Sequence, residues 1–342
     1  MALSIFGFCA LSTQLAKAQN SLEINIHAVE GEKVIAVEVQ GKAFTNLFYP
    51  DSLAKPVLFP IHAPNGGLIT RGFPLDTRPE DATDHPHHIG LWFNYENVNG
   101  LDFWNNSYAI PEEKKSSYGW IKVDSIQDIK SGKLAWIKWS ANWQNQKGDK
   151  LLRENTIYFF SANQAWRIID RVTVLTAVQD VSFDDSKDGL LGLRVAHELE
   201  LPSAQPKQYF DNKGNSTTVQ ANSSNATGNY LTSEGRQGDS AWGTRAKWCL
   251  LYGKKNKDSI SILIIDHPSN PGFPTYWHAR GYGLFAANPL GQKIFSNGKE
   301  SLNFKLNKGQ SVTFRYRVVV ASGKNRLTPN QIDFLAKEFS NK

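Results

Sequence analysis

The sequence predicts an all-β fold, a sandwich or a barrel, that ends in a single helix. Apolar and polar residues alternate with a period of two along many short stretches, which is the pattern of strands with one buried face. Clusters of Gly, Asn, Asp and Pro separate these stretches and are typical of turns. Helical periodicity is almost absent before the last stretch of the chain. Many strands joined by short turns indicate a sandwich or a barrel.

Eight stretches show the alternation most clearly, and each predicts a strand. In chain order they are residues 21–31, 33–43, 135–143, 156–163, 166–178, 191–201, 260–268 and 312–321. The last predicted element is a helix that begins after Thr328, a residue type that caps helices, with Pro329 in its first turn. Ile332, Leu335 and Phe339 then recur at helical spacing.

Residues 1–20 predict an export signal. An apolar run at residues 2–11 is followed by the small-residue sequence AKA, which has the spacing of a cleavage site, although no basic residue precedes the run. A buried N-terminal strand is the alternative interpretation. We expect the remainder, residues 21–342, to form a single domain of a periplasmic or secreted protein.

Charge and hydropathy argue against two classes of partner. Thirty-eight Lys and Arg against 32 Asp and Glu give a formal net charge of +6, without the long basic block that binds nucleic acid. No stretch after the predicted signal approaches the about 18 apolar residues that a membrane-spanning helix requires. With the signal removed, Cys249 is the one cysteine left, so we expect the fold to depend on its hydrophobic core rather than on a disulfide.

Residues 84–88, DHPHH, hold three of the eight histidines of the chain. If the segment is extended, the side chains of His85 and His87 point to one face and that of His88 to the other. Three interpretations are open: a metal site with His85 and His87 as ligands, an acid or base that works near neutral pH, and a structural cluster. Asp84 is placed to orient one of the rings through a hydrogen bond.

Three further stretches are rich in ionisable and aromatic side chains. Residues 60–72 contain His62 and Arg71, residues 184–200 contain Lys187, Asp188, Arg194, His197 and Glu198, and residues 267–291 contain His267, His278 and Arg280. In an extended segment, His278 and Arg280 lie on one face and Trp277 on the other. Because arginine offers a planar fork to carboxylate, phosphate or vicinal hydroxyl groups, these stretches predict a binding site where they meet in space.

Several longer motifs occur in a fixed order, namely HAPNGGLITRGFP, DHPHHIGLWFNYENVNGLDFW, SKDGLLGLRVA, WGTRAKW and DHPSNPGFPTYWHARGYGLFAANPLG. Together they resemble the bacterial "methane oxygenase PmoA family", a domain of unknown function, over about residues 45 to 325. The family name implies a methane-oxidising membrane subunit, which needs several transmembrane helices, and the sequence contains no candidate for them. We therefore expect no methane oxidation.

The resemblance implies a twisted two-sheet supersandwich, similar in outline to galactose mutarotase, from bacteria that degrade polysaccharides. It also implies a site on the concave sheet face, where a histidine and a carboxylate move protons at a sugar carbon. By this resemblance the histidine role falls on His87, His88 or His278. The carboxylate role matches no single position. Candidates by chemistry alone are Glu154, Asp188 and Glu198.

From these observations we predict an exported carbohydrate-active protein, an epimerase, lyase or hydrolase that acts on a sugar or a modified glycoside through His87, His88 or His278. The predicted ligand-binding residues are His62, Arg71, Trp92, Lys187, Arg194, Trp277 and Arg280. The expected partner is a small molecule or an oligosaccharide. Two alternatives stay open: a non-catalytic carbohydrate-binding protein, and an enzyme that holds a divalent metal at His85 and His87.

Overall fold

The computed structural model describes residues 21–211 and 214–342, so the predicted export signal lies outside the described residues. Strands make up most of the described chain. They are β1 (Ile24–Ala28), β2 (Val34–Val39), β3 (Lys42–Phe48), β4 (Val57–Ile61), β5 (Leu91–Tyr95), β6 (Trp120–Lys130), β7 (Ala135–Gln144), β8 (Lys150–Ala162), β9 (Trp166–Ala177), β10 (Val181–Phe183), β11 (Gly189–Arg194), β12 (Lys207–Phe210), β13 (Ser216–Val219), β14 (Asn229–Thr232), β15 (Trp248–Lys255), β16 (Asp258–Asp266), β17 (Tyr276–Ala279), β18 (Leu284–Asn288), β19 (Phe304–Leu306) and β20 (Ser311–Gly323). The helices are α1 (Gln292–Phe295) and α2 (Pro329–Ser340), with short 3-10 segments at Glu112–Ser117, His197–Leu199 and Gly238–Ala241.

Most strands belong to two eight-stranded antiparallel sheets. The strand order of the first sheet is β1-β2-β3-β4-β5-β11-β18-β17, and that of the second is β14-β15-β16-β20-β9-β8-β7-β6. The strands β10 and β19, and likewise β12 and β13, form two separate two-stranded antiparallel sheets. The prediction of an all-β, two-sheet fold with a C-terminal helix is confirmed.

The main core lies between the two large sheets, because each sheet turns one apolar face toward the other. Phe93 of the first sheet contacts both Trp143 and Phe314 of the second, with ring centroids 6.3 and 5.8 Å apart. These contacts join strands that are far apart in the chain, so the two sheets share one core.

Helix α2 covers the outer face of the second sheet. Its residues Ile332, Leu335 and Phe339 pack in one apolar cluster with side chains of β15, β16 and β20. The hydroxyl of Thr328 accepts a hydrogen bond from the backbone N–H of Gln331 and caps the first turn. The helix and its cap therefore follow the prediction made from the sequence.

Alternation along the central strands of the first sheet sends every second side chain to the face turned away from the second sheet. Trp92 on β5, Gly192 on β11, Ala286 on β18 and His278 on β17 pair in register and form one row on this outer face. Gly192 is required in the row, because a Cβ there would lie 2.4 Å from the Trp92 ring. Trp277 has the opposite orientation and lies in the core between the sheets.

The strand predicted at residues 191–201 ends earlier in the structure. Strand β11 ends at Arg194, since the chain then leaves the sheet and forms the 3-10 segment His197–Leu199. Part of the polar stretch after residue 209 forms the β12–β13 hairpin, with β13 at Ser216–Val219. Among the described residues, the helices are too short or too polar to cross a membrane.

Candidate functional site

A cavity of about 340 Å³ lies on the outer face of the first sheet. Its walls come from residues 85–88, 104–118, 187–188 and 278–282 and from the β12–β13 hairpin. This volume is at the lower end of the roughly 300–1,000 Å³ typical of small-molecule sites. The cavity therefore brings together parts of three stretches that the sequence predicted to meet in one binding site.

The DHPHH segment is a turn rather than an extended strand. The backbone N–H of His88 donates to the carbonyl of His85 at 3.0 Å, and His85 has a φ of 43°. The buried guanidinium of Arg71 donates to the carbonyls of Asp84, His85 and His88 at 2.7–3.0 Å and holds the turn closed. As a result His85, His87 and His88 all line one cavity, with ring centroids 4.3–5.6 Å apart, instead of alternating between two faces.

The ring that Asp84 orients is that of His85. Asp84 Oδ1 lies 2.6 Å from His85 Nδ1, and the two carboxylate oxygens accept hydrogen bonds from Arg194 at 2.7 and 3.0 Å. Burial acts to raise the pKa of Asp84, but Arg194 and His85 outweigh it and hold this pKa well below its usual value. An ionised carboxylate only accepts hydrogen bonds, so Nδ1 of His85 carries the hydrogen and Nε2 is left as the acceptor. No described residue hydrogen-bonds to this Nε2.

His87 and His88 are uncharged at neutral pH, because burial holds the pKa of each well below its ordinary value. The His88 ring is packed between Trp92 and His85, with centroids 5.3 and 4.8 Å away and nearly parallel planes. The His87 ring lines the cavity and has no hydrogen bond to another described residue. The backbone carbonyl of His87 accepts a hydrogen bond from Nζ of the buried Lys55 at 2.8 Å, and this bond fixes the backbone of the turn.

The opposite wall carries Lys187, Asp188, His278 and Arg280. Lys187 Nζ lies 2.5 Å from Asp188 Oδ2, and His278 Nδ1 lies 3.4 Å from Asp188 Oδ1. Arg280 Nε donates to His278 Nε2 at 3.2 Å, so His278 and Arg280 lie on one face as the sequence predicted. Burial, followed by the charges of Arg280 and Lys187, holds the pKa of His278 well below its ordinary value. His278 is therefore a neutral ring that positions Arg280.

A second carboxyl group lies behind Asp188. The backbone N–H of Glu96 donates to the carbonyl of Asp188 at 2.9 Å, and the Glu96 side chain accepts a hydrogen bond from the Ser186 hydroxyl. Burial, with the nearby carboxylates Asp188 and Asp102, raises the pKa of Glu96 to about 8. Glu96 therefore holds a proton at neutral pH, while Asp188 remains next to the Lys187 ammonium.

Aromatic side chains form much of the remaining wall. The Tyr282 ring lies parallel to His85 with centroids 5.0 Å apart, and Tyr209 packs edge-on against Tyr282 at 4.7 Å. Trp104 lies over Gly192 of the first sheet and contacts His88. Sequence reasoning did not select Tyr209 or Tyr282. For Tyr209, the signal in the sequence was the pair of aromatic residues Tyr209 and Phe210 directly before a long polar stretch.

Several predicted ligand-binding residues lie outside the cavity wall. Arg71, Arg194 and Trp92 lie beneath the wall, where they hold the DHPHH turn from behind. His62 is half-buried beside the Phe44 carbonyl, 3.3 Å away, and does not line the cavity. Trp277 is fully buried and donates its indole N–H to the Ala246 carbonyl at 3.0 Å, because the strand alternation turns it inward. It cannot stack on a ligand in this cavity.

Of the three candidate carboxylates, only Asp188 lines the cavity. Glu154 is buried between the sheets, where it is paired with Arg171. Glu198, in the 3-10 segment after β11, is paired with Lys255 at the end of β15 in the second sheet. The structure thus assigns these two carboxylates to ion pairs elsewhere in the fold.

The pair considered as metal ligands, His85 and His87, has ring centroids 5.6 Å apart and planes at 74°. Within residues 21–211 and 214–342, no group of three or more His, Cys, Asp or Glu side chains is arranged to hold a metal ion. One nitrogen of His85 is already bonded to Asp84. At this turn the structure therefore offers a pair of imidazoles, and Nε2 of His85 is not bonded to a described residue.

Solved structures similar to this chain include carbohydrate-active enzymes. The GH36 alpha-galactosidase AgaB from Geobacillus stearothermophilus is 9% identical, with a TM-score of 0.37 over 88% of this chain and 41% of the galactosidase. A galactose mutarotase related enzyme from Lactobacillus acidophilus is 8% identical, with a TM-score of 0.32 over 89% of this chain and 100% of that one. A beta-arabinopyranosidase is 10% identical, with a TM-score of 0.31 over 90% of this chain and 39% of the enzyme. This chain thus spans about two fifths of the length of each of the two glycosidases.

None of the curated protein sequences compared with the chain matches it. A sequence model of a family of unknown function, DUF6807, matches residues 34–337. This match covers both large sheets except β1, together with every segment that lines the cavity, and it does not show the methane oxygenase PmoA name. The chain belongs to the family of unknown function DUF6807.

Proposed function

We propose that the protein is a carbohydrate-active enzyme that binds a sugar or a modified glycoside in the cavity and transfers a proton through an imidazole. The observation that carries the proposal is the Asp84–His85 pair, whose Nε2 nitrogen has no described partner although its ring lines the cavity. Epimerases, lyases and hydrolases all require a positioned acid or base of this kind.

His85 acts as the general base in this proposal. Burial, with the charges of Arg194 and Arg71, lowers the pKa of His85 despite the opposing effect of Asp84, so the ring is neutral at neutral pH and can accept a proton at Nε2. Once His85 is protonated, the Asp84 carboxylate stabilises the imidazolium through the same hydrogen bond. His87 lines the same cavity and is the second candidate for proton transfer.

The remaining wall supports a sugar ligand. Tyr209, Tyr282 and Trp104 offer ring faces and edges for the C–H groups of a sugar ring. Asp188 and Lys187 can accept from and donate to its hydroxyl groups. Such a mixture of aromatic surface and a few fixed polar groups is typical of small-molecule sites.

The test is a screen of the purified protein against monosaccharides, disaccharides and glycosides in D₂O, followed by proton NMR. An epimerase replaces a ring hydrogen by deuterium and forms a second diastereomer, a lyase forms an alkene, and a hydrolase releases a reducing end. We expect one of these outcomes with the wild type and its loss in His85→Gln. The exposed His27, changed to Gln, serves as the matched control.

Turnover that survives in His85→Gln would remove this residue as the base. A sugar that binds to the cavity without any turnover would instead support the non-catalytic carbohydrate-binding alternative. Full activity only after a divalent metal is added would support the metal-dependent alternative.

We also propose that the protein acts outside the cytoplasm, because its first residues have the composition of an export signal. Mass spectrometry of the intact protein from its native cells tests this proposal. We expect a mass that lacks the first 18 or so residues, and an uncleaved chain would contradict the proposal.

A further inference from the structure

We propose that the sugar is a uronic acid whose carboxylate binds to Arg280. This inference rests on the proposed function and adds the substrate class. Among the described residues, Arg280 carries the one guanidinium that lines the cavity, and its unpaired N–H groups are the starting point.

The guanidinium of Arg280 is held in place by three neighbours. Its plane is packed against Trp242 and Tyr209, with ring centroids 4.3 and 5.4 Å from Cζ. Its Nε–H donates a hydrogen bond to Nε2 of His278 at 3.2 Å. The two terminal NH₂ groups have no hydrogen-bond or ion-pair partner among the residues that the structure describes. Arg280 is therefore a fixed fork with unused donors at a ligand cavity.

Charge in the cavity also favours an anion. Lys114, Lys187 and Arg280 line the cavity, against the two carboxylates Asp188 and Asp211. Lys187 is paired with Asp188, whereas Lys114 is exposed and has no described ion-pair partner. The histidines are neutral, so among the described residues of the wall the cations exceed the carboxylates by one. One bound carboxylate would balance the excess.

A carboxylate matches Arg280 in geometry and in chemistry. Two parallel N–H donors of a guanidinium fit the two oxygens of a carboxylate, and such charge-assisted bonds are stronger than neutral ones. A carboxylate also makes the hydrogen on the neighbouring ring carbon more acidic. When His85 Nε2 takes that proton, the C–H bond breaks and its electron pair moves into the carboxylate as an enediolate held by Arg280. Return of a proton to the same carbon restores the sugar acid, so no further reactant is needed.

The experiment measures binding by isothermal titration calorimetry with the full chain. The probes are D-glucuronate and D-galacturonate, the neutral hexoses D-glucose and D-galactose, and D-glucose sulfated at its primary hydroxyl. We expect one uronate to bind about 10–100-fold more tightly than its neutral hexose, as expected for a charge-assisted bond in a partly buried site. Arg280→Gln should bring the ratio close to one, and Arg280→Lys should give an intermediate ratio. Arg153→Gln, at an exposed arginine outside the cavity wall, should leave it unchanged.

Near-ultraviolet circular dichroism of each variant confirms that it is folded before its affinity is compared. Equal affinity for uronates and neutral hexoses would overturn the inference and leave the proposed function standing. Preference for the sulfated hexose would also overturn it, because the anion would then not be a carboxylate. If none of these sugars binds, the inference falls, and the NMR screen with disaccharides and glycosides alone decides the proposed function.

Discussion

Two buried arginine–carboxylate pairs in this fold have the same chemistry and different surroundings. Asp84 is paired with Arg194 under the cavity, and Glu154 is paired with Arg171 between the sheets. Both carboxylate oxygens of Glu154 also accept hydrogen bonds from neighbours in the core. The indole N–H of Trp143 donates to one oxygen at 2.8 Å, and the hydroxyl of Thr156 donates to the other at 2.7 Å. Both pairs keep two charges out of water, which demands full hydrogen bonding.

The difference lies in the last partner of each network. The network around Asp84 ends in His85, a titratable ring with one nitrogen on the cavity, whereas that around Arg171 ends in the hydroxyl of Tyr158 inside the core. A buried ion pair therefore does not identify a site by itself. An ion pair that orients a titratable ring at a cavity marks a candidate site, and the substitutions of Asp84, Glu154 and Tyr158 below each alter one of the two networks.

The largest effect is expected from Asp84→Asn. An amide cannot hold His85 in the tautomer that leaves Nε2 as the acceptor, and it cannot stabilise the imidazolium. We expect kcat/KM for the sugar identified in the NMR screen to fall by about 10³–10⁴-fold, the scale of the same change in known Asp–His pairs. Affinity for the sugar should change much less. A variant that keeps its turnover within threefold of the wild type would show that the pair has no catalytic role.

Glu154→Gln should lower the stability of the protein and leave the catalytic groups of the cavity unchanged. It leaves the Arg171 charge buried without its carboxylate, which costs about 3–5 kcal/mol of unfolding free energy. Urea unfolding measures this loss, and calorimetry on the folded protein should give sugar affinity close to that of the wild type. Loss of affinity in a folded Glu154→Gln protein would mean that the two networks are coupled through the core.

The sequence predicted much of the fold because alternation is a local pattern. Residues 166–178 and 312–321 alternate over much of their length, and they become the long paired strands β9 and β20. The same reasoning placed His278 and Arg280 on one face, as the structure has them. The position of Glu154 between the sheets was not predicted, because period two alone does not tell which of two faces meets another sheet.

The DHPHH turn shows what local patterns could not give. Extended geometry would separate His88 from His85 and His87, but Arg71, from a different part of the chain, gathers the carbonyls of the turn. The choice of His85 as the partner of Asp84 follows from this turn and from its positive φ. Long-range contacts of this kind have no signature in a single sequence.

A smaller effect is expected from Tyr158→Phe in the closed network. This change removes the hydroxyl that bonds to Arg171 and preserves the ring in the core. Since a hydrogen bond to a charged group contributes about 1.5–3 kcal/mol, the unfolding free energy should fall by that amount. Deuterium exchange into the sugar should continue at the wild-type rate, and a slower rate would contradict the separation of the two networks.

The smallest effect is a pH dependence on the cavity side of the fold. Burial holds the pKa of His87 well below its ordinary 6.5, so the folded protein keeps this ring neutral while the unfolded chain takes up a proton as the pH falls. Its contribution to stability is therefore present above about pH 6.5 and is lost below it, by about 1.4 kcal/mol for each pH unit.

Glu96 should act with the opposite sign. Because burial raises its pKa from 4.5 to about 8, its contribution to stability is present at low pH and is lost as the pH rises through 8. Urea unfolding of the wild type, His87→Gln and Glu96→Gln between about pH 5 and pH 8 separates the two contributions. The free-energy difference between the wild type and His87→Gln should fall on acidification, and that between the wild type and Glu96→Gln should rise. If both differences changed in the same direction with pH, the assignment of a neutral imidazole to His87 and of a protonated carboxyl group to Glu96 would be contradicted.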